Sequence, residues 1–136
     1  MALSAARNTL RRGPTRLNAA AVKASTTIYG GSIVVADSTG YAVPGATGTS
    51  LIALGIAKAT ADNSGGSSGA IVCELDMTEG KFANSGSDAV DITCIGKSVY
   101  IEDDQTVCKT ATGKSAAGIC TNLDADGGIW VYVGAV

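Results

Sequence analysis

Hydrophobic and polar positions alternate most clearly over residues 98–109, which the sequence predicts to form a β-hairpin. Val99 and Ile101 fall on one face of the first half, and the tyrosine and glutamate that follow them fall on the opposite face. This period of two is typical of a half-buried strand. Asp103 and Asp104 supply a polar turn, and a β-branched run returns on the far side. Two short strands joined by a short polar link indicate a hairpin.

The rest of the chain repeats this arrangement with different turns. Clusters rich in Gly, Ser, Thr, Asn and Asp interrupt short apolar runs about every ten residues, a spacing typical of sandwiches and barrels. Residues 61–69 are predicted to be a flexible exposed loop, and residues 88–96 to hold one irregular or 3₁₀ turn. Residues 51–60 fit a short helix by propensity, but the central Gly55 and the surrounding pattern favour a strand. The predicted strands are residues 25–29, 32–36, 41–43, 51–60, 70–75, 81–83, 116–121 and 129–133.

The last of these strands, residues 129–133, is apolar on both faces. Ile129, Val131 and Val133 share one face. Trp130 and Tyr132 share the other face. Such a strand lies in the centre of a sheet or is covered by another subunit. Trp130 and Tyr132 are therefore candidate subunit-interface residues, and the opposing sheet of the same domain is the alternative cover.

Composition refines the fold class. The chain has 136 residues, enough for one domain with a small core, and only 4% of them are aromatic against 18 glycines. The core must therefore be built from small side chains. We expect an all-β fold: a small β-sandwich or barrel-like domain with short strands and Gly/Ser-rich turns, preceded by an extended N-terminal arm.

Charge divides the chain into two parts. Residues 1–23 carry five cations and no acid, giving +5, whereas residues 24–136 carry five lysines against twelve acids, giving −7. We interpret residues 1–22 as a basic arm that a partner orders, and residues 23–136 as one β-rich domain. A solvated tail or a poorly packed terminal strand is the alternative. The arm's candidate contact residues are its four arginines, Arg7, Arg11, Arg12 and Arg16.

Several reaction chemistries are disfavoured by what the chain lacks. It has no histidine, the commonest general base and transition-metal ligand. Its cysteines are far apart and form no CxxC pair, so they indicate buried thiols rather than a zinc or redox site. We expect no enzymatic activity, no cofactor, no metal and no membrane span. Aromatic residues do not interleave with the basic ones, so no direct nucleic-acid contact is expected. The four cysteines are Cys73, Cys94, Cys108 and Cys120.

A few fragments imitate functional motifs. Residues 96–98 and 113–115 both read Gly-Lys-Ser, like the end of a phosphate-binding loop, but each lacks the earlier glycine and a following helix pattern. Residues 124–128 resemble part of a calcium loop with only two carboxylates. Acids at residues 74–79 and 102–104 are interpreted as a solvated acidic surface rather than as an acid–base pair.

The order of several segments resembles the capsid cement, or head decoration, proteins of tailed phages. These segments are an arginine-bearing MALSAARNT start, IYGGSIVVADSTGYAVP at residues 28–44, GIAKATADNSGG at residues 55–66, and GKSVYIEDDQTV at residues 96–107. Each segment consists of strands and turns without diagnostic chemistry. The resemblance therefore depends on their order along most of the chain.

The resemblance implies a structural function. Such a protein binds the outer surface of the icosahedral head and clamps neighbouring major capsid subunits, commonly as a trimer or dimer. The implied partners are the major capsid protein and further copies of the chain itself, as a homotrimer or homodimer. The implied location is the outer capsid surface of the virion, after synthesis in the host cytoplasm. The alternative is a receptor- or carbohydrate-binding β-domain of a virion fibre or tail, using the loop at residues 61–69 and Trp130.

Overall fold

A computed structural model describes residues 4–8 and 17–134, and this part of the chain is all-β, as predicted. It contains one 3₁₀ turn, Ile92–Cys94, within the predicted irregular segment, and no α-helix. The twelve strands of the described residues are β1 (Leu17–Ala21), β2 (Thr26–Ile28), β3 (Ile33–Ala36), β4 (Ala42–Pro44), β5 (Ile52–Ala57), β6 (Ala61–Asn63), β7 (Val72–Asp76), β8 (Glu79–Asn84), β9 (Ser98–Ile101), β10 (Thr106–Cys108), β11 (Ala116–Leu123) and β12 (Ile129–Val133).

Five strands close into a barrel in the order β10-β8-β12-β11-β9, with β9 pairing back onto β10. The predicted hairpin at residues 98–109 supplies β9 and β10, where Val107 lies opposite Ile101 and Cys108 opposite Tyr100. The β8–β10 pair is parallel, and the other pairs are antiparallel. Because the ring is closed, none of its strands presents an unpaired edge.

Five further strands form an open sheet in the order β1-β7-β5-β3-β4, and β2 pairs with β6 in a small separate sheet. The two ends of the open sheet approach each other where Val22, just after β1, forms a parallel bridge to Ala42 of β4. Strand β5 packs against β11 and β12 of the barrel. The open sheet therefore lies between the barrel and the small β2–β6 sheet.

Two hydrophobic cores result from this stacking, and β3 contributes to both. Ile33 and Val35 belong to the core of the barrel side, whereas Val34 belongs to the core beneath β2 and β6. All three side chains are completely buried. The continuous apolar run at residues 32–36 is thus explained by a strand that is covered on both faces.

Strand β12 lies in the centre of the barrel wall, between β11 and β8. Ile129, Val131 and Val133 are buried in the barrel core, and the alternate side chains Trp130 and Tyr132 are half-buried. A central position was one of the two arrangements that the apolar faces of this strand predicted.

Two segments differ from the sequence-based expectation. The predicted arm extends to residue 22, but Leu17–Ala21 form β1, which pairs along its length with β7. Three consecutive alanines, residues 19–21, carry too little apolar signal to indicate a strand, although backbone pairing does not need large side chains.

The second difference is the predicted exposed loop at residues 61–69. Ala61–Asn63 form β6, and Ala61 and Asn63 are buried. The Asn63 amide donates to the carbonyls of Val22, Lys23 and Ser67 at 2.9 to 3.2 Å, so a residue typical of loops is buried with its polar group bonded. Within the predicted loop, residues 64–65 and 67–69 are exposed, as predicted.

None of the helical turns in the described residues is long or apolar enough to cross a membrane.

We predict that Gly118→Ala destabilises the barrel, because β11 and β12 approach too closely there for a side chain. A Cβ at this position would lie 2.0 Å from the carbonyl oxygen of Tyr132 and 3.0 Å from Cα of Val133, both rigid backbone atoms. Overpacking of this kind should lower the free energy of unfolding by about 3 kcal/mol, measured by urea denaturation.

Gly86→Ala is the matched control, because no atom lies within 4 Å of a Cβ built there. Its stability should stay unchanged or rise slightly. Equal stabilities for the two variants would contradict the close approach of β11 to β12.

Candidate interaction site

The N-terminal strand is attached to the body at Val22. Val22 is fully buried, and its N–H donates to the carbonyl of Ile71 at 3.0 Å. Its carbonyl accepts from the N–H of Gly69 at 2.9 Å and from Asn63 Nδ2 at 3.2 Å. The backbone of Val22 is therefore bonded on both sides, which fixes the point where β1 joins the body.

Lys23 continues this attachment. Its N–H donates to the carbonyl of Ala42 at 3.1 Å, and its Nζ lies 2.6 Å from Oδ2 of Asp37 in the β3–β4 turn. The hydrogen bond from Lys23, together with bonds from the N–H and hydroxyl of Thr39, lowers the pKa of Asp37 from 3.8 to about 2.

The four arginines predicted to contact a partner are only partly described. Arg7 lies in residues 4–8 and is exposed. Arg11, Arg12 and Arg16 lie outside the described residues. Their contact role stays a prediction.

The strand next to β1 carries carboxylates on its exposed side. Glu74 lies opposite Ala19 and is exposed, and Asp76 lies opposite Leu17 and is half-buried. Among residues 4–8 and 17–134, no Lys or Arg forms an ion pair with either carboxylate. The edge from which the basic segment departs is thus acidic.

Trp130 and Tyr132, the predicted interface residues, lie side by side along the outer face of β12. Trp130 Nε1 donates to Asp124 Oδ2 at 3.1 Å, and Lys81 lies opposite Trp130 on β8. Ile119, which the sequence analysis did not single out, lies opposite Tyr132 on β11 and is half-buried. The outer wall of the barrel therefore carries an aromatic and apolar strip.

Five apolar side chains of the described residues are more exposed than this strip and lie elsewhere on the surface. The alternation pattern did not predict their positions. They occur at strand ends and in turns, where the period of two breaks down. Their exposed fractions are 65% for Tyr29, 65% for Ile52, 58% for Val72, 76% for Ile92 and 42% for Ile95.

The Gly-Lys-Ser fragments have structural positions. Gly96 has a φ of +81°, in the left-handed region, and Ser98 begins β9 rather than a helix. In the second fragment, the buried Ser115 hydroxyl donates to the carbonyl of Gly48 at 2.7 Å. Neither fragment opens a helix, so neither presents the helix N-terminus that a phosphate-binding loop uses.

The fragment that resembles a calcium loop is bonded to a lysine. Nζ of Lys81 lies 2.5 Å from Asp126 Oδ2 and 3.6 Å from Asp124 Oδ2. A cation already occupies the space between the two carboxylates. In the described part of the chain, no three His, Cys, Asp or Glu residues are grouped so that they could hold a metal ion.

All four cysteines are buried, as predicted, and each is a free thiol. Burial raises the pKa of Cys73, Cys108 and Cys120 above the ordinary value of 9.0. A thiol that stays protonated is a poor nucleophile, so these three contribute through packing.

Comparison with known proteins adds no identification: no family model, no curated protein and no solved structure matches this chain.

The Lys23–Asp37 pair predicts an acid sensitivity of the N-terminal attachment. Because the pKa of Asp37 is lower in the folded chain than the ordinary 3.8, its stabilising effect is complete above that value and is lost as pH falls toward about 2. In hydrogen exchange over this pH range, β1 amides should lose protection in the wild type, and Asp37→Asn should show a smaller pH dependence.

Asp91→Asn is the control for that experiment. Asp91 also has a lowered pKa, caused first by Lys109, but it caps the 3₁₀ turn, away from β1 and β3. Its substitution should leave the pH dependence of β1 unchanged. An Asp37→Asn variant with the acid response of the wild type would contradict the role of the pair.

A second prediction concerns Trp130. Because its ring is only half-buried, Trp130→Ala should leave the secondary structure intact while weakening association between subunits, measured by sedimentation across a concentration series. Trp130→Phe retains an apolar ring without the bond to Asp124, so it should associate more strongly than the alanine variant. Unchanged association of folded Trp130→Ala would place the interface elsewhere.

Proposed function

We propose that this chain is a capsid cement protein of a tailed phage. It binds the outer surface of the head and stabilises contacts between neighbouring major capsid subunits. One observation carries the proposal: a basic N-terminal segment continues into β1, and β1 is hydrogen-bonded to β7 of an acidic all-β body. The order of segments that resembles the cement proteins supports the same function.

The charge distribution suits a segment that binds outside its own domain. Residues 1–16 carry four arginines and no acid, giving +4, whereas residues 17–136 carry six lysines against twelve acids, giving −6. Arginine pairs well with carboxylates and carbonyl groups through its fork of N–H donors. A partner surface rich in such acceptors provides the contacts that order the segment.

The length of the segment is sufficient to reach a neighbouring subunit. The sixteen residues before β1 span about 50 Å when extended. The body, held together by two cores, remains compact while the segment extends over the shell. This division separates attachment from folding, so the protein is stable before it assembles.

The body also carries a surface that would favour association between copies of the chain. The strip formed by Trp130, Tyr132 and Ile119 offers apolar surface on the outer wall of the barrel. A homotrimer or homodimer on the capsid would cover it. In this proposal the partners are the major capsid protein and other copies of the chain, on the outside of the virion.

The test removes residues 2–16. This truncation leaves β1 in place, whereas a deletion through residue 20 also removes most of the strand that covers β7. The truncated protein should keep the circular dichroism spectrum of the full chain but no longer sediment with undecorated heads. Since Coulomb attraction is screened by salt, binding of the full chain should weaken as ionic strength rises.

The matched control keeps the length and changes only charge. Replacing Arg7, Arg11, Arg12 and Arg16 by Gln should reproduce the loss of binding, whereas replacing the exposed Lys58 and Lys97 of the body should not. Undiminished head binding by the truncated chain would contradict the proposed role of the segment.

Copy number separates this function from a receptor-binding domain of a fibre or tail. A cement protein approaches the copy number of the major capsid protein, whereas receptor binders are few. Quantitative mass spectrometry of purified particles measures this ratio directly.

A further inference from the structure

A shallow groove of about 300 Å³ lies where the turn after β2 meets the β9–β10 turn. It is separate from the N-terminal attachment and from the outer strip on β12. Its lining comes from two segments that are more than seventy residues apart in sequence. The lining residues are Tyr29, Gly30, Gly31, Ser32, Asp104 and Gln105.

Hydrogen bonds hold the two walls of the groove together. The N–H of Ile33 donates to the carbonyl of Asp104 at 2.8 Å, and the Ser32 hydroxyl donates to Asp104 Oδ2 at 3.3 Å. The carbonyl of Gln105 accepts from the N–H of Ala83 of β8 at 2.9 Å. The groove is therefore preformed, and a ligand would not need to order its backbone.

Two of the lining residues are glycines, so this part of the lining carries no side chain. A Cβ on Gly30 would lie 3.3 Å from the backbone nitrogen of Thr60, a tight contact with a backbone atom. Gly31 has a φ of +88°, a conformation that favours glycine. The exposed backbone of Gly30 and Gly31 thus follows directly after the exposed Tyr29.

The side chains that line the groove combine one apolar face with polar groups. Tyr29 is 65% exposed, the highest exposure of the described aromatic residues. Asp104 offers a carboxylate that the Ser32 hydroxyl orients. The side-chain amide of Gln105, both donor and acceptor, takes part in none of the hydrogen bonds among residues 4–8 and 17–134, in contrast to its backbone N–H and carbonyl.

We propose that this groove binds a neutral sugar ring. One face of a pyranose presents C–H groups that stack on an aromatic ring, and its hydroxyls donate to a carboxylate and exchange hydrogen bonds with an amide. The groove accommodates one ring. Its described lining contains no cation, and Asp104 repels anions, so phosphates and acidic sugars are disfavoured. One carboxylate alone is too few for a divalent cation.

The proposal stands independently of the capsid function. A single shallow site of this kind binds weakly, and many copies on one surface would raise the apparent affinity through multivalency. The sugar-binding groove also differs from the residues that the sequence suggested for glycan binding, Trp130 and the loop at residues 61–69.

The test is saturation-transfer NMR on the full-length chain with methyl glycosides of glucose, galactose, mannose and N-acetylglucosamine as separate probes. At least one should receive saturation and shift the amide resonances of residues 29–32 and 104–105. Tyr29→Ala should weaken that binding about tenfold, and Tyr29→Phe should retain it, because stacking needs the ring and not the hydroxyl. Asp104→Asn should also weaken binding.

Ile52→Ala is the matched control, because Ile52 is as exposed as Tyr29 but does not line the groove. It should bind like the wild type. The proposal is overturned if none of the four glycosides binds, or if binding is unaffected by Tyr29→Ala in a chain whose spectrum shows it to be folded.

Discussion

Burial of β3 on both faces is the constraint on which the two halves of this protein depend. Ile33 and Val35 fill the barrel-side core, and Val34 fills the other core one residue away in sequence. The same strand begins with a bond from Ile33 to the β9–β10 turn. Neither core can therefore be completed without the strand that completes the other, which makes the open sheet and the barrel one folding unit.

The elements that sequence could predict are those whose signal is local. Strands β9 and β12 follow a strict alternation, and β3 is a continuous apolar run between turn residues. Each of these segments carries its own evidence of burial, so its strand character is independent of the partner it meets. The all-β fold followed from this local information together with the frequent turns.

The remaining features depend on partners that are distant in sequence. β1 is a run of small residues that becomes a strand because β7 offers a free edge, and Asn63 is buried because three carbonyls converge on its amide. For the candidate site, sequence identified Trp130 and Tyr132 but not Ile119. Nor did the sequence indicate that Tyr29 and Asp104 line one groove, since no local pattern reports which turns become neighbours.

The pairing of β1 with β7 has a mechanical consequence. Five residue pairs join these antiparallel strands, and the chain before Leu17 continues from the end of β1. Tension along the strand axis therefore loads the interstrand hydrogen bonds together, in shear, instead of opening them one after another. A pull on the N-terminal segment is therefore passed through β7 and β5 into the open sheet, and through β3 into the core of the barrel.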